Sequence, residues 1–447
     1  MAERLTLGIF LAAMLVCLLF NLNVAYGLLV GLGAFFCYAR QQGLKNQQIL
    51  RLMWSGLHLV VPVLIILLSI GVLASAWRAS GTIPFLVYQS ASIIRPNNFL
   101  LICFLLCCLM SMLMGSSLGT AGTVGVICMM LGQALGVNPL FTGGAVLAGS
   151  YFGDRGSPMS SSAHLICTVT KTNIYQHVVM VAKSGGLAFL LSILIYWLLG
   201  SRQEGLPGAA AEVVNLFNAY YQLSWWAAIP GLIIIIFSLL RINVRHSILT
   251  SALAAYLLAI FLQGSDPWSL LLQLFAGYQV VGNETLAQLM NGGGLVSMLP
   301  AVIVVSLASS YFGIFRETPL LDGVKQGLLK LTKHISPFGT SLTTALFTAT
   351  VCCNQSLPIM LTDNIFEATI PDNRQRALAL ANTATVVAPL IPWNVAALVP
   401  LLAIGASAGS ILFAFYLYLV PLFSLSLALW QHYRAKARGN SQNSAAS

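Results

Sequence analysis

A chain of 447 residues that is 58% hydrophobic and only 7% charged lacks the surface charge of a water-soluble domain, in which about a quarter of the residues are ionisable. Its formal charge of +10 has no soluble basic face to occupy, so nucleic-acid binding is excluded. Nine cysteines lie mostly in apolar runs without zinc-site spacing, and they read as small side chains packed in helices.

Crossing about 30 Å of hydrocarbon takes about 20 predominantly apolar residues. In chain order, clear candidates are Leu5–Leu19, Leu57–Trp77, Phe99–Met114, Gly186–Leu199, Trp225–Leu240, Ser247–Gln263 and Ile411–Trp430. With segments interrupted by Gly and Pro included, the pattern predicts an all-α polytopic membrane protein of roughly 10 to 13 transmembrane helices. The first run lacks a small-residue cleavage site and reads as a retained helix. Polar stretches are short: Ser201–Glu212, and a tail after Gln431 whose Arg, Lys, Ser and Asn content predicts disorder. Basic residues cluster at Arg4, at Arg40, Lys45 and Arg51, at Arg241, Arg245 and His246, and at Arg434, Lys436 and Arg438, whereas the Asn21–Asn23 turn is uncharged. The excess of basic residues on cytoplasmic loops then places both termini in the cytoplasm of a multi-pass protein.

Three landmarks recur in the same order at an offset of roughly 230–240 residues. Trp77-Arg78-Ala79-Ser80-Gly81 and Ile314-Phe315-Arg316-Glu317-Thr318 each end a span. Gly115-Ser116-Ser117-Leu118-Gly119-Thr120 is followed in the second half by Cys353-Asn354-Gln355-Ser356-Leu357-Pro358. Pro-centred polar breaks come next, at Asp154–Ser162 and at Ala388–Asn394. The organisation predicted is N-terminal helices over 1–56, a first repeat over 57–200, linker helices over 201–292, a second repeat over 293–430 and a cytoplasmic tail over 431–447. An inverted relation between the repeats is expected. Corresponding breaks in two halves point to a transporter binding site, because hydrocarbon forces every amide to bond within its helix, and a broken helix survives only against protein or a watery cavity.

Asp154 is the strongest candidate ligand, since a carboxylate between apolar segments costs about 2.5–3.5 kcal/mol on insertion scales. It is the expected sodium ligand. Around the breaks, Ser116, Ser117, Thr120, Ser157, Ser160, Ser161, Asn354, Gln355, Ser356, Asn382, Thr385 and Asn394 are expected to supply neutral ligands, with His164 and Asp363 as further titratable groups. Asp372, Arg374 and Arg376 read as a solvated loop, and Gly292-Gly293-Gly294, without the Lys-Ser/Thr of a phosphate loop, as a flexible turn. Neither HExxH nor GxSxG occurs, and the chain is not read as an enzyme. It carries no ATP-binding motif, so a gradient is the expected energy source: about 2.3 kcal/mol per charge per 100 mV.

These motifs resemble the NhaC family of sodium/proton antiporters within the wider ion-transporter superfamily. The resemblance is carried by Gly115–Thr120, by Gly149-Ser150-Tyr151-Phe152-Gly153-Asp154 with Ser157-Pro158-Met159-Ser160, and by Ala388-Pro389-Leu390-Ile391-Pro392-Trp393-Asn394. It implies alternating-access antiport of sodium and protons across a prokaryotic cytoplasmic membrane, with no cofactor beyond a sodium ion. The partners implied are the lipid bilayer and a small ion or solute, and a homodimer within the bilayer is compatible with the chain. Where the family pattern continues Asp-Thr-Thr-Asn after the Ser-Pro-Leu-Ser string, this chain has Ser161, Ser162, Ala163 and His164. Family acids are also replaced by Asn354 and Asn382. Loss of those charges favours a second expectation, cation-coupled transport of an organic solute such as an amino acid or hydroxy acid.

Overall fold

Helices dominate because a backbone in hydrocarbon must satisfy its amides locally. The computed structural model describes residues 2–445 except 21, 92–93, 204–208, 241, 322, 324–325, 328–335 and 368–369. Of these, the side chains of all but 91, 209–212 and 431–445 are described. Residues 204–208 of the predicted polar stretch Ser201–Glu212, and the basic Arg241, thus lie outside the described residues.

The first half holds α1 (Ala2–Leu19), α2 (Val24–Gln41), α3 (Asn46–Ala79), α4 (Thr82–Ala91), α5 (Pro96–Met114), α6 (Ser117–Ala134), α7 (Pro139–Gly156), α8 (Ser161–Val169) and α9 (Ile174–Ser201). The linker holds α10 (Ala209–Tyr220), α11 (Ile229–Leu239), α12 (Val244–Phe261), α13 (Pro267–Ala276) and α14 (Glu284–Met290). The second half follows with α15 (Leu299–Glu317), α16 (Pro337–Cys352), α17 (Ser356–Phe366), α18 (Asn373–Asn382), α19 (Ala384–Val387), α20 (Val395–Ala403) and α21 (Phe415–Ala445). The chain beyond Gln431 continues α21 as helix where disorder was expected; Ala, Lys, Arg and Gln in that stretch are good helix formers.

Among the described residues, seven helices are long and apolar enough to cross a membrane, or up to nine when two sharply bent pairs each count as one span. One of these pairs bends by 110° at residues 221–224 and the other by 57° at residues 391–394. The remaining expected spans are divided at the breaks into pieces such as α8 and α17, of 9 and 11 residues. Each is too short to cross alone.

The two halves lock together along α3 and α15, where glycines bring backbones into contact. A Cβ on Gly56 would lie 2.2 Å from the Ser309 carbonyl oxygen, and one on Gly313 2.1 Å from that of Leu52. Small residues serve this purpose in bilayers, where apolar burial gives no net drive for helix association. The Gly292–Gly294 turn belongs to the same seam: Gly294 N–H donates to the Gly71 carbonyl at 2.7 Å, so it is packed against α3 rather than free.

The first landmark break has the same local geometry in both halves. Helix α5 stops at Gly115 in the left-handed region (φ 63°), and the Ser116 hydroxyl then accepts from Gly119 N–H at 3.1 Å to start α6. Helix α16 stops at Cys353, also left-handed (φ 54°), and the Asn354 side chain accepts from Leu357 N–H at 2.9 Å to start α17. At the second break, Ser160 caps α8 and Asn394 caps α20.

Candidate functional site

Helix α7 ends in Gly156 ahead of Pro158, and this stop leaves Asp154 in its last turn, 4% exposed. Ser160, which caps the next helix, donates to the Asp154 carbonyl at 2.5 Å and lies 3.4 Å from Oδ1. Ser162 Oγ lies 3.1 Å from Oδ2 and 3.3 Å from Gln355 Oε1. Gln355 Nε2 donates to Asp154 Oδ2 at 3.1 Å and to the Thr385 carbonyl at 3.3 Å. The backbone N–H of Ser117, at the start of α6, also faces the carboxylate. The Asp154 carboxylate is therefore held where the breaks of the two halves meet.

The chemistry available follows from the proton count. The single hydroxyl proton of Ser162 can satisfy only one of its two acceptors. Asp154 oxygen, Ser162 oxygen and Gln355 Oε1 together form a cluster of oxygen donors that suits a hard cation. The Thr385 carbonyl, which accepts from Gln355, adds a further oxygen, and the Thr385 hydroxyl is buried without a hydrogen-bond partner. Tyr151, one turn before Asp154, donates to the Ala396 carbonyl at 2.7 Å and ties α7 to α20.

Other sequence candidates hold the frame. Ser116 caps α6, and Thr120 Oγ1 donates to the Ser116 carbonyl at 2.9 Å. Ser157 donates to the Met112 carbonyl at 2.7 Å. Asn354 caps α17, while Asn394 donates to the Ala349 carbonyl at 2.7 Å and that of Asn354 at 3.2 Å. Ser161, His164 and Ser356 are exposed, and His164 Nε2 lies 2.9 Å from the Pro158 carbonyl oxygen. Ser162, not Ser161, meets Asp154. Once Ser160 is fixed as the cap, the helical turn aims position 162 inward; recognising the cap was the signal that would have found it.

Asp363 lies away from this cluster, ion-paired with Arg376 at 2.7 Å with both side chains almost fully buried. The expected solvated loop is thus corrected at Arg376, which α18 turns into the protein, while Asp372 caps that helix. Breaking a buried pair leaves an uncompensated charge, at a cost of about 3–5 kcal/mol. Asp363→Asn is expected to lower thermal stability sharply while surviving protein keeps its cation dependence, as a melting curve and a transport assay would read separately.

Arg155 does not pair with Asp154. It points the other way, 1% exposed, and donates to Tyr416 Oη at 2.7 Å, to Ser184 Oγ at 2.9 Å and to Asn382 Oδ1. Asn382 is thereby engaged with the guanidinium rather than with the Asp154 cluster.

Broken helices in a multi-pass helical membrane protein, with a buried carboxylate between its halves, define a secondary transporter. The chain belongs to the Na+/H+ antiporter family, whose model matches residues 3–179 and 149–431. It is 27% identical over 384 residues to the Na(+)/H(+) antiporter NhaC of Alkalihalophilus pseudofirmus, covering 83% of each chain. It is 25% identical over 400 residues to the malate-2H(+)/Na(+)-lactate antiporter of Bacillus subtilis, covering 87% of this chain and 86% of the relative. The arginine/ornithine antiporter ArcD of Halobacterium salinarum is 27% identical over 348 residues, with 74% and 70% covered.

Proposed function

We propose that the protein exchanges sodium for protons across a prokaryotic cytoplasmic membrane by alternating access, with Asp154 carrying the coupling charge. The observation that carries this reading is the hydrogen bond from Gln355, at the break of the second half, to the Asp154 carboxylate in the first. A buried carboxylate is neutralised by either a proton or a sodium ion, and one site cannot hold both. Reorienting the empty, ionised site through a low-dielectric interior costs several kcal/mol, so only loaded forms cross and exchange is enforced. Ser162, Gln355 and Thr385 supply oxygens to the cation, Ser160 positions Asp154, and the matched breaks at Gly115 and Cys353 act as the joints of two inverted repeats, 57–200 and 293–430. Both termini face the cytoplasm in this reading.

The test uses purified protein in proteoliposomes. An imposed sodium gradient is expected to drive proton movement, and a pH gradient sodium movement, each followed with an internal dye or isotope. Flux unchanged when either gradient is collapsed rejects the coupling.

A second reading, cation-coupled exchange of an organic solute, is favoured by the names of the malate/lactate and arginine/ornithine relatives and by the neutral Asn354 and Asn382. Sodium-dependent counterflow of a labelled amino acid or hydroxy acid, without proton movement in its absence, would select it.

A further inference from the structure

The side chain that cation exchange leaves unused is Arg155. A guanidinium stays charged at any physiological pH, and a charge buried without a counter-ion is among the most costly arrangements a protein keeps. Ion pairs among the described residues are Arg316–Glu317 at 3.6 Å and Arg376–Asp363 at 2.7 Å; none supplies Arg155 with a carboxylate. Its partners are neutral: Tyr416, Ser184 and Asn382. Its Nε–H has no hydrogen-bond partner. The imidazole of His177, fully buried within electrostatic range of Arg155, leaves both ring nitrogens unpartnered as well.

Space adjoins this charge and, separately, two of its partners. Arg155 lines a cavity of about 110 Å³ whose other walls include Phe152, Val181, Phe189 and Tyr416. Its partners Ser184 and Asn382 line a larger cavity of about 1120 Å³, whose walls carry both Lys183 and Asp372. A single cation in an otherwise apolar recess matches a ligand with one anionic end and a small apolar body. A planar carboxylate also suits the fork geometry of guanidinium donors, which a spherical halide does not exploit.

We propose that Arg155, with Ser184 and Asn382, forms a binding site for a small monocarboxylate. The Asp154 cluster binds cations on the other side of α7, so the two sites are separate. The inference does not depend on sodium/proton exchange, and its test involves neither gradients nor sodium.

The test is thermal unfolding of the full chain in phosphatidylcholine nanodiscs, titrated with the choline salts of acetate, propionate and lactate against choline chloride at equal ionic strength. The carboxylates are expected to raise the apparent Tm saturably by about 3–5 °C, and chloride by less than about 1 °C. Asn382→Asp places a built-in carboxylate on the guanidinium. It is expected to raise the ligand-free Tm and to weaken the carboxylate response at least about tenfold. Arg155→Gln is expected to abolish the response; if that variant does not fold, Asn382→Asp alone decides. No response in the unaltered protein, an equal response to chloride, or an undiminished response in Asn382→Asp would overturn the site. So would a response that appears only with anionic phospholipid, which would assign the charge to a lipid headgroup.

Discussion

Asp154→Asn is expected to abolish coupled exchange, lowering the initial rate of sodium-driven proton movement at least about 100-fold while leaving the protein folded. A factor of 100 corresponds to about 2.7 kcal/mol, well within what loss of a charged ligand removes. Asparagine keeps the volume of the side chain and one oxygen acceptor, so Ser162 and Gln355 retain a partner. It loses the negative charge that attracts sodium and the basic oxygen that takes a proton. Both halves of the exchange fail together. Asp154→Glu separates charge from position: it keeps a titratable group but moves it one methylene further from α7, displacing it from Ser162 and Gln355. A partial loss of about 10-fold and a weaker sodium dependence are expected there. Size-exclusion profiles and melting curves of both variants would confirm folding, and proteoliposome flux with each gradient would read the coupling. A native rate in Asp154→Asn would remove this carboxylate from the mechanism.

Landmarks bound to the chain's own backbone were legible in the sequence. Both breaks were visible as Gly115–Thr120 and Cys353–Pro358 because a helix stop and the cap after it are local events, set by neighbours a few positions apart. Asp154 was legible because a carboxylate among apolar residues is rare. What escaped depends on where helices turn in three dimensions. Asp154 and Arg155 are adjacent, yet their side chains diverge, one toward Gln355 and the other toward Asn382. Arg376 looked solvated beside Asp372 and Arg374, but α18 faces it to Asp363 from the preceding helix. His164 and Ser161 carried suggestive chemistry and lie on the exposed side of α8. Sequence spacing cannot tell which side of a nine-residue helix is inside until its packing partner is known, and here that partner comes from the opposite half of the chain.

Gly115→Ala is expected to be strongly damaging although the position has no functional side chain, while the corresponding Cys353→Gly is tolerated. The Gly115 backbone is left-handed at φ 63°, where a Cβ costs about 1–2 kcal/mol. The new carbon would also lie 2.4 Å from the carbonyl carbon of Met159 and 2.6 Å from its oxygen. Those are backbone atoms of the Asp154–Ser160 break, and they cannot rotate away. Overpacking of this kind costs about 1–3 kcal/mol, so the sum threatens a large share of the protein's stability, and any relaxation shifts Ser160 relative to Asp154. Cys353 already bears a Cβ in the same conformation, at φ 54°. Replacing it with glycine relieves the conformational strain but empties a small, fully buried volume, two effects of about 1 kcal/mol and opposite sign. Gly115→Ala is therefore expected to lower both the apparent Tm and the transport rate, and Cys353→Gly to change either little. Equal damage at both positions would show that the two breaks are not conformational equivalents. Tolerance at Gly115 would mean that the loop bearing Ser160 can move without disturbing the carboxylate beside it.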